Sequence, residues 1–370
     1  MRITVLLVAL LAVSVSAQTP APPAAVTTRP AFAEWLRQLK ADAIERGIRP
    51  EIVDEALSGL KEPLPAVLER DRAQVETVLA IEQYINRQIT ATRLRDGRRL
   101  VTEQRTTLDA VADAYGVPAS ILAGIWGLES NFGRFSGTRP TVHALATLAW
   151  DPRRASFFRE ELFAALQILD HGDISVQEMR GSWAGAMGQP QFMPSSYLQY
   201  AVDVDGDNRR DIWSTPADVF GSIANYLRGH GWTPDQPWGL EVSVPKAAFS
   251  TITSTIARRE GSCKAMRDMT VRLPMTEWQT LGVRTLNGAP LADSSEEASL
   301  VAGSTRRFLV YANYDALLEY NCAHAYALTV ALLGEDVLRP SAAPTPIRQA
   351  APQPKKPQPK PGPANPGRRQ

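Results

Sequence analysis

Cysteine is scarce: the 370 residues contain two, Cys263 and Cys322. That rules out a small scaffold stapled by many disulfides. Neither sign of charge is in excess, with Lys+Arg 40 against Asp+Glu 39 and a net charge of +1. A general nucleic-acid binder would be far more basic. No internal repeat is visible, so a solenoid is not expected. The N-terminal apolar run, Ile3 to Val13, is too short to cross a bilayer, which takes about 20 apolar residues. What is present is ordinary globular composition, 44% hydrophobic and 21% charged, long enough for one large domain or two to three smaller ones.

The two ends differ from the middle. Residues 1–17 carry Arg2, the short apolar run and Val15-Ser16-Ala17. That order describes a secretory signal cleaved after Ala17. The first cysteine is Cys263, so no lipoprotein anchor is expected, and the mature chain is placed in the periplasm. Residues 18–30 form a Pro/Ala-rich linker. Residues 339–370 hold Lys355, Lys356, Lys360, Arg368 and Arg369 among Pro, Ala and Gln, with no acid. Such a tail cannot bury a core and is expected to be disordered and solvated.

Between the ends the expected fold is mainly α, of α+β type. Residues 31–237 read as helical: Trp35-Leu36-Leu39 and Ile81-Tyr84-Ile85-Ile89 recur at three- and four-residue spacing. Helices are predicted over 108–115, 119–129, 155–169 and 216–230. Residues 238–307 form a loop-rich insertion, with strand-like alternation in "GLEVSVP" and again in "RFLVYANYD". Residues 308–338 return to helix, predicted over 315–333, and complete the core.

One acid stands out. In "GIWGLESNFGRFSG" the apolar positions Ile121, Leu122, Ile125, Trp126 and Leu128 cover nearly every helix face, and Glu129 follows them. A carboxyl at the end of a buried helix is desolvated and meets the negative end of the helix dipole, and both raise its pKa. A carboxylic acid that is neutral near pH 7 can protonate a glycosidic oxygen. Downstream, "GSWAGAMGQPQFMPSSY" mixes small residues, neutral polar groups (Ser182, Gln189, Gln191, Ser195, Ser196) and aromatics (Trp183, Phe192, Tyr197). That mixture suits a sugar, and it also suits a tight helix contact.

These blocks, with "TLAWDPRRASFFREEL", "VDVDGDNRRDIW" and "YNCAHAYALTVALL", resemble the lytic murein transglycosylase B family in order from about Phe32 to Leu338. The resemblance implies a lysozyme-like helical core with an N-terminal helical part and a small sheet-containing insertion. It implies cleavage of the MurNAc–GlcNAc β-1,4 bond of peptidoglycan with formation of a 1,6-anhydroMurNAc end. Catalysis would need no cofactor. Glu129 falls on the single acid/base, Ser182 and Gln191 on polar cleft groups, and Tyr320, Asn321 and Tyr326 on the late "YN…Y" cleft motif. The expected partners are glycan strands and other cell-wall enzymes, with a monomeric chain and no nucleic acid. Two other readings fit the same residues. One is a noncatalytic wall-binding scaffold. The other is a lysozyme-type hydrolase, with Asp151, Glu160, Glu161 or Asp173 as a second acid.

"DVDGDNRRDIWSTPAD" places Asp203, Asp205 and Asp207 at alternate positions, hard oxygen donors of the kind Ca²⁺ takes. The usual twelve-residue loop is not matched: Gly206 is at the fourth position and Ser214 at the twelfth. Asp218 would close a longer site, with the Arg209 carbonyl as a further ligand and a structural role for the ion. The alternative is a metal-free turn neutralised by Arg209 and Arg210. In an exported chain Cys263 and Cys322 would form a disulfide, closing a loop of about 60 residues for roughly 4 kcal/mol. Otherwise they are buried thiols.

Overall fold

The computed structural model describes residues 29–73, 79–294 and 296–339. The expected signal, most of the linker and the tail from residue 340 lie outside them.

Two apolar helices, Ala119–Ser130 and His324–Leu338, run against each other at the centre. Ile121 through Gly127 are all buried, so the first helix has no solvent face over that stretch. Glycine sets their separation. A Cβ on Gly124 would lie 2.0 Å from the Val330 carbonyl oxygen, and one on Gly334 would lie 1.8 Å from that of Ser120. Only residues without a side chain allow backbone to meet backbone in this way. Helices Ile81–Gln88, Ala91–Glu103, Arg105–Tyr115 and Pro216–Gly229 surround the pair. Leu108, Ile121, Ile125, Phe220, Ile223 and Val330 share one core.

A second core lies beside it. Helices Phe32–Glu45, Pro50–Leu57 and Pro65–Arg72 pack with Thr141–Trp150, Ala155–His171 and Pro194–Tyr200 around Leu39, Leu57, Leu145, Leu162 and Tyr197. Several of these helices open on proline, whose fixed φ suits the first turn and whose missing N–H is not needed there.

The sheet has the antiparallel order Leu273–Pro274, Glu297–Ala302, Arg307–Val310, Gly239–Ser243, Arg284–Thr285. Alternation sorts its faces. Val242, Leu300 and Leu309 pack with the fully buried Trp278 in a core of their own. Val301, Phe308 and Val310 face the other way and join the helical core. The sheet unit therefore runs to residue 310, past the expected boundary at 307, because Arg307–Val310 is its middle strand. The single helix expected over 315–333 is two, Asn313–Tyr320 and His324–Leu338. The break falls where Asn321 is extended (φ −153°, ψ 117°) and its carbonyl accepts from the Ala323 N–H at 2.7 Å. At that break Cys322 is joined to Cys263, with Cα atoms 6.1 Å apart.

Candidate active site

Glu129 sits in the last turn of its helix. Asn131, Phe132 and Gly133 then take φ values of 51°, 59° and 76°, three left-handed residues in succession that turn the chain back. Asn tolerates this conformation better than most residues, and glycine does so freely. The Phe132 ring meets Trp126 edge-on at 5.5 Å and fills the space over Gly127.

Glu129 is half-buried. The Tyr326 hydroxyl donates to Glu129 Oε1 at 2.5 Å, and the Tyr320 ring stacks on Tyr326 at 6.3 Å. Burial pushes Glu129 up to about 7, with the Tyr326 hydrogen bond opposing the rise. Tyr320 and Tyr326 are held well above the usual phenol range, by burial first and by the Glu129 charge second. Tyr84 is raised for the same two reasons in the same order, so it feels the Glu129 charge. In the sequence Tyr84 belongs to the apolar pattern Ile81-Tyr84-Ile85-Ile89. Its one signal was a hydroxyl in an otherwise aliphatic stripe.

The structure thus brings Glu129, Tyr320 and Tyr326 together. It treats the other expected cleft groups differently. Ser182 Oγ accepts the N–H groups of Ala184 and Ala186 at 3.3 and 3.1 Å, so it shapes its own loop. Gln191, at φ 55°, donates to the carbonyls of Gly188 at 2.8 Å and Ser136 at 3.2 Å, tying down the loop that follows Glu129. Tyr320 donates to the Pro190 carbonyl at 2.7 Å. Asn321 is exposed at the helix break, and its side chain has no hydrogen bond among the described residues. Phe192 and Tyr197, expected as flat surface for a sugar, are core residues at 2% and 0% exposure, turned inward by the Met187–Phe192 bridge and the following helix. Gln189 is buried as well, and Ser195 bonds Glu161.

The candidate second acids are all engaged elsewhere. Asp151 pairs with Arg29 at 3.1 Å, Glu160 with Arg46 at 2.7 and 2.9 Å, and Asp173 with Arg210 at 2.5 Å. Glu161 accepts from the Ser195 hydroxyl at 2.7 Å and its N–H at 2.9 Å. Two surface hollows, of about 1010 and 580 Å³, open beside Tyr115 and Pro234 and beside Trp238 and Arg306, and neither takes in Glu129.

In the acidic loop, carboxylate oxygens of Asp203, Asp205 and Asp218 come within 4.8 Å of one another. That is about twice a Ca²⁺–oxygen distance, so three hard donors can meet one ion. Asp218, fully buried in the first turn of its helix, accepts the N–H groups of Val204 and Asp211 at 2.7 and 2.8 Å. Burial, then Asp205 and Asp203, push its carboxyl above the usual range. Asp207 is outside this group, and its carboxylate accepts the Arg209 N–H at 2.8 Å. The expected neutralising arginines turn away: Arg210 pairs with Asp173, and the Arg209 guanidinium reaches the Asp173 carbonyl. The donor set fits a divalent cation.

Core and site together define a lysozyme-like helical protein with a single candidate acid/base. A family model described as the transglycosylase SLT domain matches residues 31–335, and the chain belongs to that family. It is 41% identical to the membrane-bound lytic murein transglycosylase B of Escherichia coli K12 over 151 residues, which is 40% of this chain and 42% of that relative. The structure is similar to SltB3 from Pseudomonas aeruginosa in complex with NAG-anhNAM-pentapeptide, with a TM-score of 0.75 and 40% identity over 83% of this chain and 79% of that one. It is similar also to the Escherichia coli lytic transglycosylase Slt35 in complex with calcium, with a TM-score of 0.66 and 29% identity over 82% and 92% of the two chains. The resemblance read from the sequence blocks is borne out at the level of family and fold. Among the described residues no single helix is long and apolar enough to cross a membrane.

Proposed function

We propose that this chain is a lytic transglycosylase that cleaves the MurNAc–GlcNAc β-1,4 bond of peptidoglycan, with Glu129 as acid and then base. The observation that carries the reading is a half-buried carboxyl raised to about 7, while Asp151, Glu160, Glu161 and Asp173 are held by other partners. Hydrolysis and direct attack both call for a second carboxylate beside the bond. With one acid, the substrate supplies its own nucleophile at high effective molarity. Glu129 gives its proton to the leaving GlcNAc oxygen as the N-acetyl carbonyl oxygen closes on C1, forming an oxazolinium. The Glu129 carboxylate then takes the proton of the C6 hydroxyl. That oxygen attacks C1, breaks the bond between C1 and the acetamido oxygen, and closes the 1,6-anhydro ring with the N-acetyl group restored on C2. The proton count balances and no water is consumed. Tyr326 holds Oε1 throughout.

Asp203, Asp205 and Asp218 would hold a Ca²⁺ ion whose part is structural, cancelling their mutual repulsion and fixing the loop on the Pro216–Gly229 helix. Export to the periplasm is proposed on the signal-like residues 1–17.

Mass spectrometry of muropeptides released from purified sacculi tests the reading. Anhydro ends are expected from the wild type and none from Glu129→Gln. Reducing ends would assign a hydrolase, and binding without cleavage would assign a scaffold.

A further inference from the structure

Gln189 lies inside the small-residue block, where its type suggested a group facing sugar. The structure buries it to 7% exposure. Its Oε1 accepts from the Trp126 indole N–H at 2.6 Å, its Nε2 donates to the Trp213 carbonyl at 2.8 Å, and its main-chain N–H donates to the Ile212 carbonyl at 2.9 Å. On its other side it meets the turn after Glu129: a Cβ on Gly133 would be 2.6 Å from the same Oε1.

These contacts bracket the acid. Trp126 is three residues before Glu129, and its indole is wedged edge-on between Phe132 at 5.5 Å and Phe220 at 5.1 Å. Its carbonyl receives the Ser130 hydroxyl at 2.9 Å and the Phe132 N–H at 3.2 Å, so the left-handed turn hangs on that residue. Gly133 is four residues after the acid. One buried amide therefore touches the chain on both sides of Glu129 and joins it to the end of the acidic loop.

We propose that Gln189 is a positioning residue for Glu129. It touches no substrate. It fixes where the last helical turn presents the acid, and it rests on the reading of Glu129 as the acid. Without the amide, an indole N–H and a carbonyl are left buried and unpaired, and the turn must shift to satisfy them. A displacement of about 1 Å at a reacting group can cost on the order of 10²-fold in rate.

The test compares wild type, Gln189→Met and Gln189→Glu on soluble GlcNAc–MurNAc-peptide oligomers. It reads kcat, KM, the pH profile and the hydrogen exchange of the Trp126 indole N–H, assigned by its loss in Trp126→Phe. Gln189→Met is expected to lower kcat by about 10- to 100-fold with KM within about twofold. The basic limb of its profile should move, and the indole N–H should lose protection. Gln189→Glu keeps an acceptor for Trp126 and should recover most of kcat below pH 7. Trp126→Phe removes the donor while keeping a ring, and should reproduce the kcat loss and the pH-profile shift of Gln189→Met if that variant does not fold. Wild-type kcat and pH profile in Gln189→Met, or a loss of activity fully accounted for by its unfolded fraction, would overturn the positioning role. An inactive wild type would instead overturn the reading of Glu129, and the positioning role with it, whatever the indole exchange shows.

Discussion

Replacing Glu129 by Gln should make the protein more stable at neutral pH while removing its activity. Burial pushes the wild-type carboxyl up to about 7 in the folded chain, against an ordinary value of 4.5. The folded state holds its proton where the unfolded state has released it. Stability is therefore fully present below about pH 4.5 and is lost as pH rises, until the loss is complete above about 7. Between 4.5 and about 7, at about 1.4 kcal/mol for each pH unit, the loss comes to about 3.5 kcal/mol. That is a ceiling, because Glu129 is half-buried and water on its open side screens part of the charge. A Gln amide does not ionise, keeps the shape, and still offers an oxygen to the Tyr326 hydroxyl. The two proteins should thus match near pH 4 and diverge by up to about 3.5 kcal/mol by pH 8, with the variant ahead. Chemical denaturation at pH 4, 5, 6, 7 and 8 measures it. A difference that stays constant across that range would show that Glu129 is not raised, and would remove the physical basis for its role as an acid.

Three further outcomes are expected. Tyr326→Phe removes the one hydrogen bond that lowers Glu129, so the basic limb of the pH–rate profile should move to higher pH; a profile that stays in place or moves down would detach Tyr326 from the acid. Ca²⁺ should raise the thermal midpoint, by about 2.7 kcal/mol of stability at a hundredfold excess over Kd, and Asp203→Ala should abolish the rise while Asp207→Ala should leave most of it. An unchanged wild-type midpoint with Ca²⁺ and with chelator would dismiss the ion. Gly124→Ala puts a methyl group 2.0 Å from the Val330 carbonyl and should cost about 1–3 kcal/mol or more as the central helices part, whereas Gly59→Ala, with open space around it and no left-handed backbone, should cost less by equilibrium unfolding.

Short-range patterns were legible in the chain itself. An apolar run closed by Asn131 and Gly133 marks a buried helix and its end, and so places Glu129 at a desolvated terminus. Prolines at 50 and 216 mark helix starts, and the alternation at 239–245 and 307–311 marks strands. Each depends on residues within a turn or two of one another, which the order of side chains determines directly.

Partner choice was decided only by tertiary packing. Whether Asp218 sits with Asp203 and Asp205, and Asp207 with its own backbone, depends on how the Pro216–Gly229 helix lies against the loop. Asp151, Glu160 and Asp173 are removed as second acids by arginines 122, 114 and 37 residues away. Gln189 has the chemistry of a sugar-binding group and the position of a strut, because Trp126, 63 residues earlier, turns its indole toward it. Residue type states which bonds a side chain can make. The competition among distant groups for each donor and acceptor is settled when the helices and loops close on one another, since a buried polar group left without a partner costs about 1–3 kcal/mol.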